Sequence, residues 1–118
     1  MAESDFAERM AVIRARFAAK LTGKIQDTDT ALPHLTGDGS NAVNEVTTAY
    51  RRFHDICGIG ATLGFEATGQ AARAIDAILI GPFREQRALS GDELVKLTES
   101  LASLRIAART EMSSTSSQ

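Results

Sequence analysis

Apolar residues recur along the chain at steps of three and four, the period of an α-helix, and nowhere hold the alternation of a half-buried strand. The first series runs Phe6, Met10, Ile13, Phe17, Leu21, Ile25, Leu32 and Leu35, its one longer gap bridged by Thr28. This spacing predicts one long helix over 4–30, weakened at Gly23 and ended by Pro33, which closes it or opens a separate last turn. Thr36-Gly37-Asp38-Gly39-Ser40 is the clearest turn, and Ser40 is a suitable N-cap for a second helix. That helix carries Val43, Val46, Tyr50, Phe53, Ile56 or Cys57, Gly60 and Leu63, with Gly64 where it would end. A third, over about 65–80, presents Ala71, Ala72, Ile75, Ile78 and Leu79, with Gly81-Pro82 as its stop. Ser90-Gly91-Asp92-Glu93 fits a capping box opening a fourth, whose stripe Leu94, Leu97, Leu101 and Leu104 fades near Arg109. Four amphipathic helices with mostly short connections predict an all-α protein, an antiparallel four-helix bundle running up-down-up-down. The bundle domain is expected over 1–110, and 111–118 reads as a disordered polar tail.

Composition narrows the chemistry. The chain has 118 residues, enough for one core. Lys and Arg number 13 against 15 Asp and Glu, so a domain-wide nucleic-acid footprint is not expected. One cysteine, Cys57, excludes an internal disulfide and any multi-cysteine metal site, and the two histidines lie far apart. No apolar run is long enough to span a membrane, and the acidic start lacks the pattern of a signal peptide. The expectation is a single cytoplasmic domain with no membrane contact, no metal and no cofactor of its own.

One stretch departs from a plain bundle: His54-Asp55-Ile56-Cys57-Gly58-Ile59-Gly60-Ala61-Thr62-Leu63-Gly64. Two glycines inside a helix, Gly58 and Gly60, together cost about 2 kcal/mol against alanine. On a wheel of ~100° per residue, the apolar face centres roughly 70° from His54, which therefore lies at its edge. Gly58 and Ala61 continue the line of His54, so the surface beside the imidazole is stripped of bulk. Gly60 instead points inward, where a neighbouring helix can come close. Taken alone, a boundary histidine making one hydrogen bond is the plainer reading. The bare surface beside it favours a nucleophilic nitrogen that a partner approaches, and an ordinary imidazole is largely neutral at neutral pH.

The same stretch resembles the histidine-containing phosphotransfer (HPt) domains of phosphorelays. Their motif runs H-x-hydrophobic-K-G-x-small-x-x-L-G, followed by a third helix rich in small residues. His54 matches the phosphoryl acceptor, Ile56 the hydrophobic position, Gly58 the glycine, Gly60 the small position and Leu63-Gly64 the final pair. Ala72, Ile75 and Asp76 fit the small, apolar and acid or amide positions, so the match covers about 46–76. Cys57 stands where the family usually has Lys or Arg. Arg51, one turn before His54, and Arg73 on the third helix are the candidate substitutes, though Arg51 and Arg52 read equally as a solvated face. Asp76 is placed to orient the imidazole or else is an exposed helix acid. Cys57 reads as a buried small residue, and His34 beside Pro33 as a loop or helix-end residue.

What the resemblance implies is a phosphorelay intermediate, in which His54 takes a phosphoryl group from a receiver-domain aspartate or hybrid histidine kinase and passes it to another receiver. Arg51, Gly58, Ala61, Arg73 and Asp76 would contact the phosphoryl group or partner. Mg²⁺ is expected on the receiver, a response regulator domain, and the carrier itself is expected as a monomer. The chain has no nucleotide-binding glycine loop and no kinase activity of its own is expected. Two other readings stand beside this one. His54-Asp55 is similar to the start of the phosphoacceptor box in the dimerisation half of a histidine kinase, although Gly58-Ile59 replaces the usual Thr or Asn followed by Pro. A helical adaptor that binds a receiver without accepting phosphate also fits the missing lysine.

Overall fold

Helical periodicity is realised over nearly all of the chain. A computed structural model describes residues 2–37 and 40–116, with side chains from 5 to 113 within those limits. Helix α1 spans Ala2–Ala31, followed by a single 3₁₀ turn at Leu32–His34 that carries Pro33 at its start. Helix α2 covers Ser40–His54, α3 Ile56–Thr62, α4 Glu66–Glu85 and α5 Gly91–Ser116. There is no strand among the described residues. α4 packs against α2, α3 and α5, while α1 rests on α5 and α2, so the fold is an all-α helical bundle.

The core gathers the predicted stripes: Leu21, Ile25 and Leu35 from the first, Val46, Ala49, Phe53 and Ile56 from the second, Ala72, Ile75 and Leu79 from α4, and Leu97, Leu101 and Leu104 from α5. Thr28, the polar residue in the first stripe, is fully buried because its hydroxyl donates to the Lys24 carbonyl and accepts from Arg52. The stripe is uncovered at its start, where Phe6 and Ile13 are exposed.

Four boundaries differ from the sequence expectation. The second helix is interrupted at Asp55, where α2 hands over to α3 without the backbone leaving helical dihedrals (φ −71°, ψ −30°). α2 begins on Ser40 itself, so Ser40 is a helical residue rather than the cap, and the turn residues Asp38 and Gly39 lie outside the described residues. Gly81-Pro82 does not stop α4. Pro82 forfeits one backbone bond late in the helix, but its ring is buried, and the helix runs on to Glu85. It stops where Gln86 turns left-handed (φ 53°), with the Arg87 N–H reaching back to the Pro82 carbonyl. Nor is 111–116 a loose tail: α5 continues to Ser116, and Met112 packs against the core. Ser117 and Gln118 lie outside the described residues.

The two ends that the sequence placed by cap chemistry form as expected. Gly64 takes φ 89° after α3, and the Phe65 N–H bonds the Gly60 carbonyl at 2.7 Å. At the start of α5 the Ser90 N–H donates to Glu93 Oε1 at 2.9 Å and the Glu93 N–H donates to Ser90 Oγ at 3.2 Å, a reciprocal capping box.

Candidate functional site

His54 is the last residue of α2, and its side chain is 58% exposed. Its Nδ1 lies 3.0 Å from Asp76 Oδ1 on α4, and the Asp76 side chain is only 18% exposed. A carboxylate accepts hydrogen bonds and donates none, so this contact requires the hydrogen on Nδ1. In the neutral ring Nε2 then keeps its lone pair. Nε2 has no hydrogen-bond partner among the described residues. The Tyr50 hydroxyl stands 3.2 Å from the same Nδ1, one turn earlier on α2. The Tyr50 ring stacks on His54 on one side (centroids 5.2 Å) and on Phe83 of α4 on the other (4.2 Å, 14° between planes). The imidazole is thus held from both helices through one nitrogen and one face.

The space beside it is open. A Cβ built on Gly58 meets nothing within 4 Å, and Ala61, one turn on, is exposed. Gly60 serves the opposite purpose. A Cβ there would lie 3.2 Å from the Phe65 carbonyl oxygen and 3.4 Å from the Gly69 backbone, and one on Gly69 would lie 3.2 Å from the Cys57 carbonyl. α3 and α4 therefore meet backbone to backbone at a Gly60–Gly69 crossing. This close approach fixes the register of α4 beneath His54 and with it the position of Asp76, seven residues beyond Gly69.

Arg51 and Arg73 are both exposed, and neither makes an ion pair or side-chain hydrogen bond among the described residues. Cys57 is half-buried, and its thiol donates to the Phe53 carbonyl (3.4 Å). Burial, and then the charge of Asp76, push the thiol above its ordinary range, with Arg73 acting in the opposite direction. Cys57 is therefore a protonated packing residue, as its position toward the core suggested, and carries no charge for an anion. His34 sits at the end of the 3₁₀ turn, away from these groups in sequence and unconnected to them.

Sequence reasoning placed Tyr50 only in the apolar stripe. Its spacing of four before His54 was the available signal, because residues four apart share a helix face. Phe83 was hidden by the expected stop at Gly81-Pro82. Gly69 and Glu111 were also missed. Glu111 Oε2 accepts from the Ala67 N–H (3.0 Å) and Oε1 from the Thr68 N–H (2.7 Å) and hydroxyl, so α5 caps the first turn of α4, whose own N-cap position, Phe65, offers no side-chain acceptor.

Among the described residues no cluster of His, Cys, Asp and Glu has the makings of a metal site, and no helix is long and apolar enough to cross a membrane. Compared with protein-family models, curated proteins and solved structures, the chain matches none.

Proposed function

We propose that the chain is a phosphoryl carrier of the histidine phosphotransfer type, with His54 as the acceptor. The observation that carries the reading is the Nδ1 contact with Asp76 at 3.0 Å, which leaves an exposed, unbonded Nε2 above the open surface at Gly58. In the reaction, the Nε2 lone pair attacks the phosphorus of a receiver's aspartyl phosphate. The P–N bond forms as the P–O bond breaks, and the aspartate leaves as a carboxylate. The ring becomes cationic, its proton stays on Nδ1, and Asp76 faces that developing charge. Transfer of this kind depends chiefly on alignment and charge, which a rigid imidazole supplies. The reverse step returns the group to a second receiver. Mg²⁺ belongs to the receiver. Arg51, one turn before His54, and Arg73, whose charge acts on the neighbouring Cys57, are the cations offered to the phosphoryl oxygens, since Arg52 is turned to Thr28. The unpaired thiol of Cys57 suits the reducing cytoplasm as the compartment.

A receiver domain carrying labelled phosphate is mixed with the chain. Label is expected on the wild type, labile in acid and stable in base, and absent from a folded His54→Gln variant. Undiminished label on that variant refutes the assignment. A second reading, an adaptor that docks on a receiver without accepting phosphate, is favoured by the neutral Cys57 beside His54. Receiver binding with no label on wild-type protein is its outcome.

A further inference from the structure

His54 ends α2 with its side chain 58% exposed, so burial does not fix the plane of its ring. The bond from Nδ1 to Asp76 Oδ1 anchors one nitrogen. It does not by itself orient the ring, because χ2 of histidine is a broad torsion and the imidazole can tilt about its anchored edge. Nε2 lies across the ring from that anchor, so a tilt carries its lone pair away from a fixed line of approach. A second restraint is present. The Tyr50 ring stacks on the imidazole with centroids 5.2 Å apart and 28° between planes, and Phe83 stacks on Tyr50 at 4.2 Å and 14°. Stacked rings attract beyond the area they bury. Phe83 follows Asp76 by seven residues, two turns along the same face of α4. It stands there because α4 passes through Pro82 and runs on to Glu85. One helix therefore supplies both the acceptor for the Nδ1 hydrogen and the back of the stack.

We propose that Tyr50, braced by Phe83, is a positioning residue: its ring sets the plane of the imidazole and hence the direction of Nε2, while Asp76 sets the tautomer. Tyr50 acts through its face and not through its hydroxyl. The hydroxyl stands 3.2 Å from Nδ1, but that nitrogen has one hydrogen, and the Asp76 carboxylate at 3.0 Å is the stronger acceptor for it. The two restraints are complementary, since one holds an atom and the other holds a plane. The consequence for transfer rests on the phosphotransfer reading of His54; the order of the ring does not.

The test compares Tyr50→Phe, Tyr50→Leu and Phe83→Leu in the full chain. Carbon relaxation of the His54 ring reads its order in solution without any partner. Wild type and Tyr50→Phe are expected to show a rigid ring, and Tyr50→Leu and Phe83→Leu one that moves on the picosecond to nanosecond scale. ¹⁵N shifts should keep the hydrogen on Nδ1 throughout, because Asp76 is untouched. Phe83→Leu leaves α2 unaltered and answers for a Tyr50→Leu chain that fails to fold. With a phosphorylated receiver, both leucine variants are expected to lower the transfer rate at saturation by about tenfold and to leave the half-saturating receiver concentration unchanged, while Tyr50→Phe stays within about twofold of wild type. A ring that is mobile in wild type, or as rigid in the leucine variants as in wild type, overturns the proposal. So does an unchanged saturating rate in those variants, or a Tyr50→Phe ring as mobile as that of Tyr50→Leu, which would assign the restraint to the hydroxyl. A wild-type chain that takes no label refutes the phosphotransfer reading alone, and the ring measurement still decides the part played by Tyr50.

Discussion

At the scale of single residues, the His54–Asp76 contact makes a statement about one proton that can be checked without any partner. ¹⁵N chemical shifts of the His54 ring should report hydrogen on Nδ1 and a bare Nε2 in the neutral form. Asp76→Ala should release the ring to a mixture of tautomers. If the ring is the acceptor, transfer should slow by about 10–100-fold, the equivalent of losing a charge-assisted hydrogen bond of ~1.5–3 kcal/mol. A tautomer unchanged by Asp76→Ala would mean that Tyr50 holds the ring by itself. His54 was legible in the sequence because the glycines after it are costly in a helix and had to be compensated. Tyr50 was not, because an aromatic at helical spacing looks like core, and half of its ring is.

At the scale of helices, glycines with the same intrinsic cost separate into two classes. Gly58 has open space above it, so Gly58→Ala should raise stability by about 1 kcal/mol, the ordinary propensity gain. Gly60 and Gly69 face backbone at 3.2 Å, which cannot retreat as a side chain would. Gly69→Ala should therefore fall below Gly58→Ala by about 1–3 kcal/mol in chemical denaturation, as overpacking overrides propensity. The wheel showed that Gly60 points inward, but the residue it meets lies on another helix, and no periodicity within α4 singles out Gly69. Glu111 was unreadable for the same reason: its partners are 43 and 44 residues away. Removing its carboxylate, as in Glu111→Ala, should cost about 1–3 kcal/mol by leaving the buried Thr68 donors unpaired. A variant as stable as wild type would show that water caps α4 equally well.

The cap of α5 carries its own pH dependence. Arg87 grips the Glu93 carboxylate with two bonds (2.7 and 3.0 Å), and this lowers its pKa from the ordinary 4.5 to about 2. A carboxyl depressed in the folded state contributes stability above its unfolded pKa and loses it as pH falls through the folded value. Thermal unfolding should accordingly show a loss between about pH 4.5 and 2 that is reduced in Glu93→Gln. Equal pH slopes for the two proteins would place the acid sensitivity elsewhere.

At the scale of the whole molecule, the bundle measures 57 × 21 × 20 Å, long for its width as helices of 30 and 26 residues make it. The pattern in the sequence predicted four helices, the second of which is realised as α2 and α3, and most of the buried face. It did not distinguish the part of the first stripe that the chain covers from the part it leaves bare, because the same apolar spacing serves either purpose. Hydrogen exchange resolves the two. Amides of 5–13 should exchange at nearly unfolded rates while those of 21–28 stay protected.

The cap supplied by Glu111 also has a meaning in time. During synthesis α4 leaves the ribosome before the residue that completes its first turn, which follows Thr68 by 43 positions. Until then the donors of Ala67 and Thr68 are open to water, and the helix that carries Asp76 is free to fray. A nascent chain therefore holds His54 without its full support, and the imidazole acquires its fixed tautomer only when α5 docks. The same dependence makes the stretch of α5 around Glu111 a checkpoint on folding: a product broken off before Glu111 would carry His54 without the cap that steadies the helix bearing Asp76.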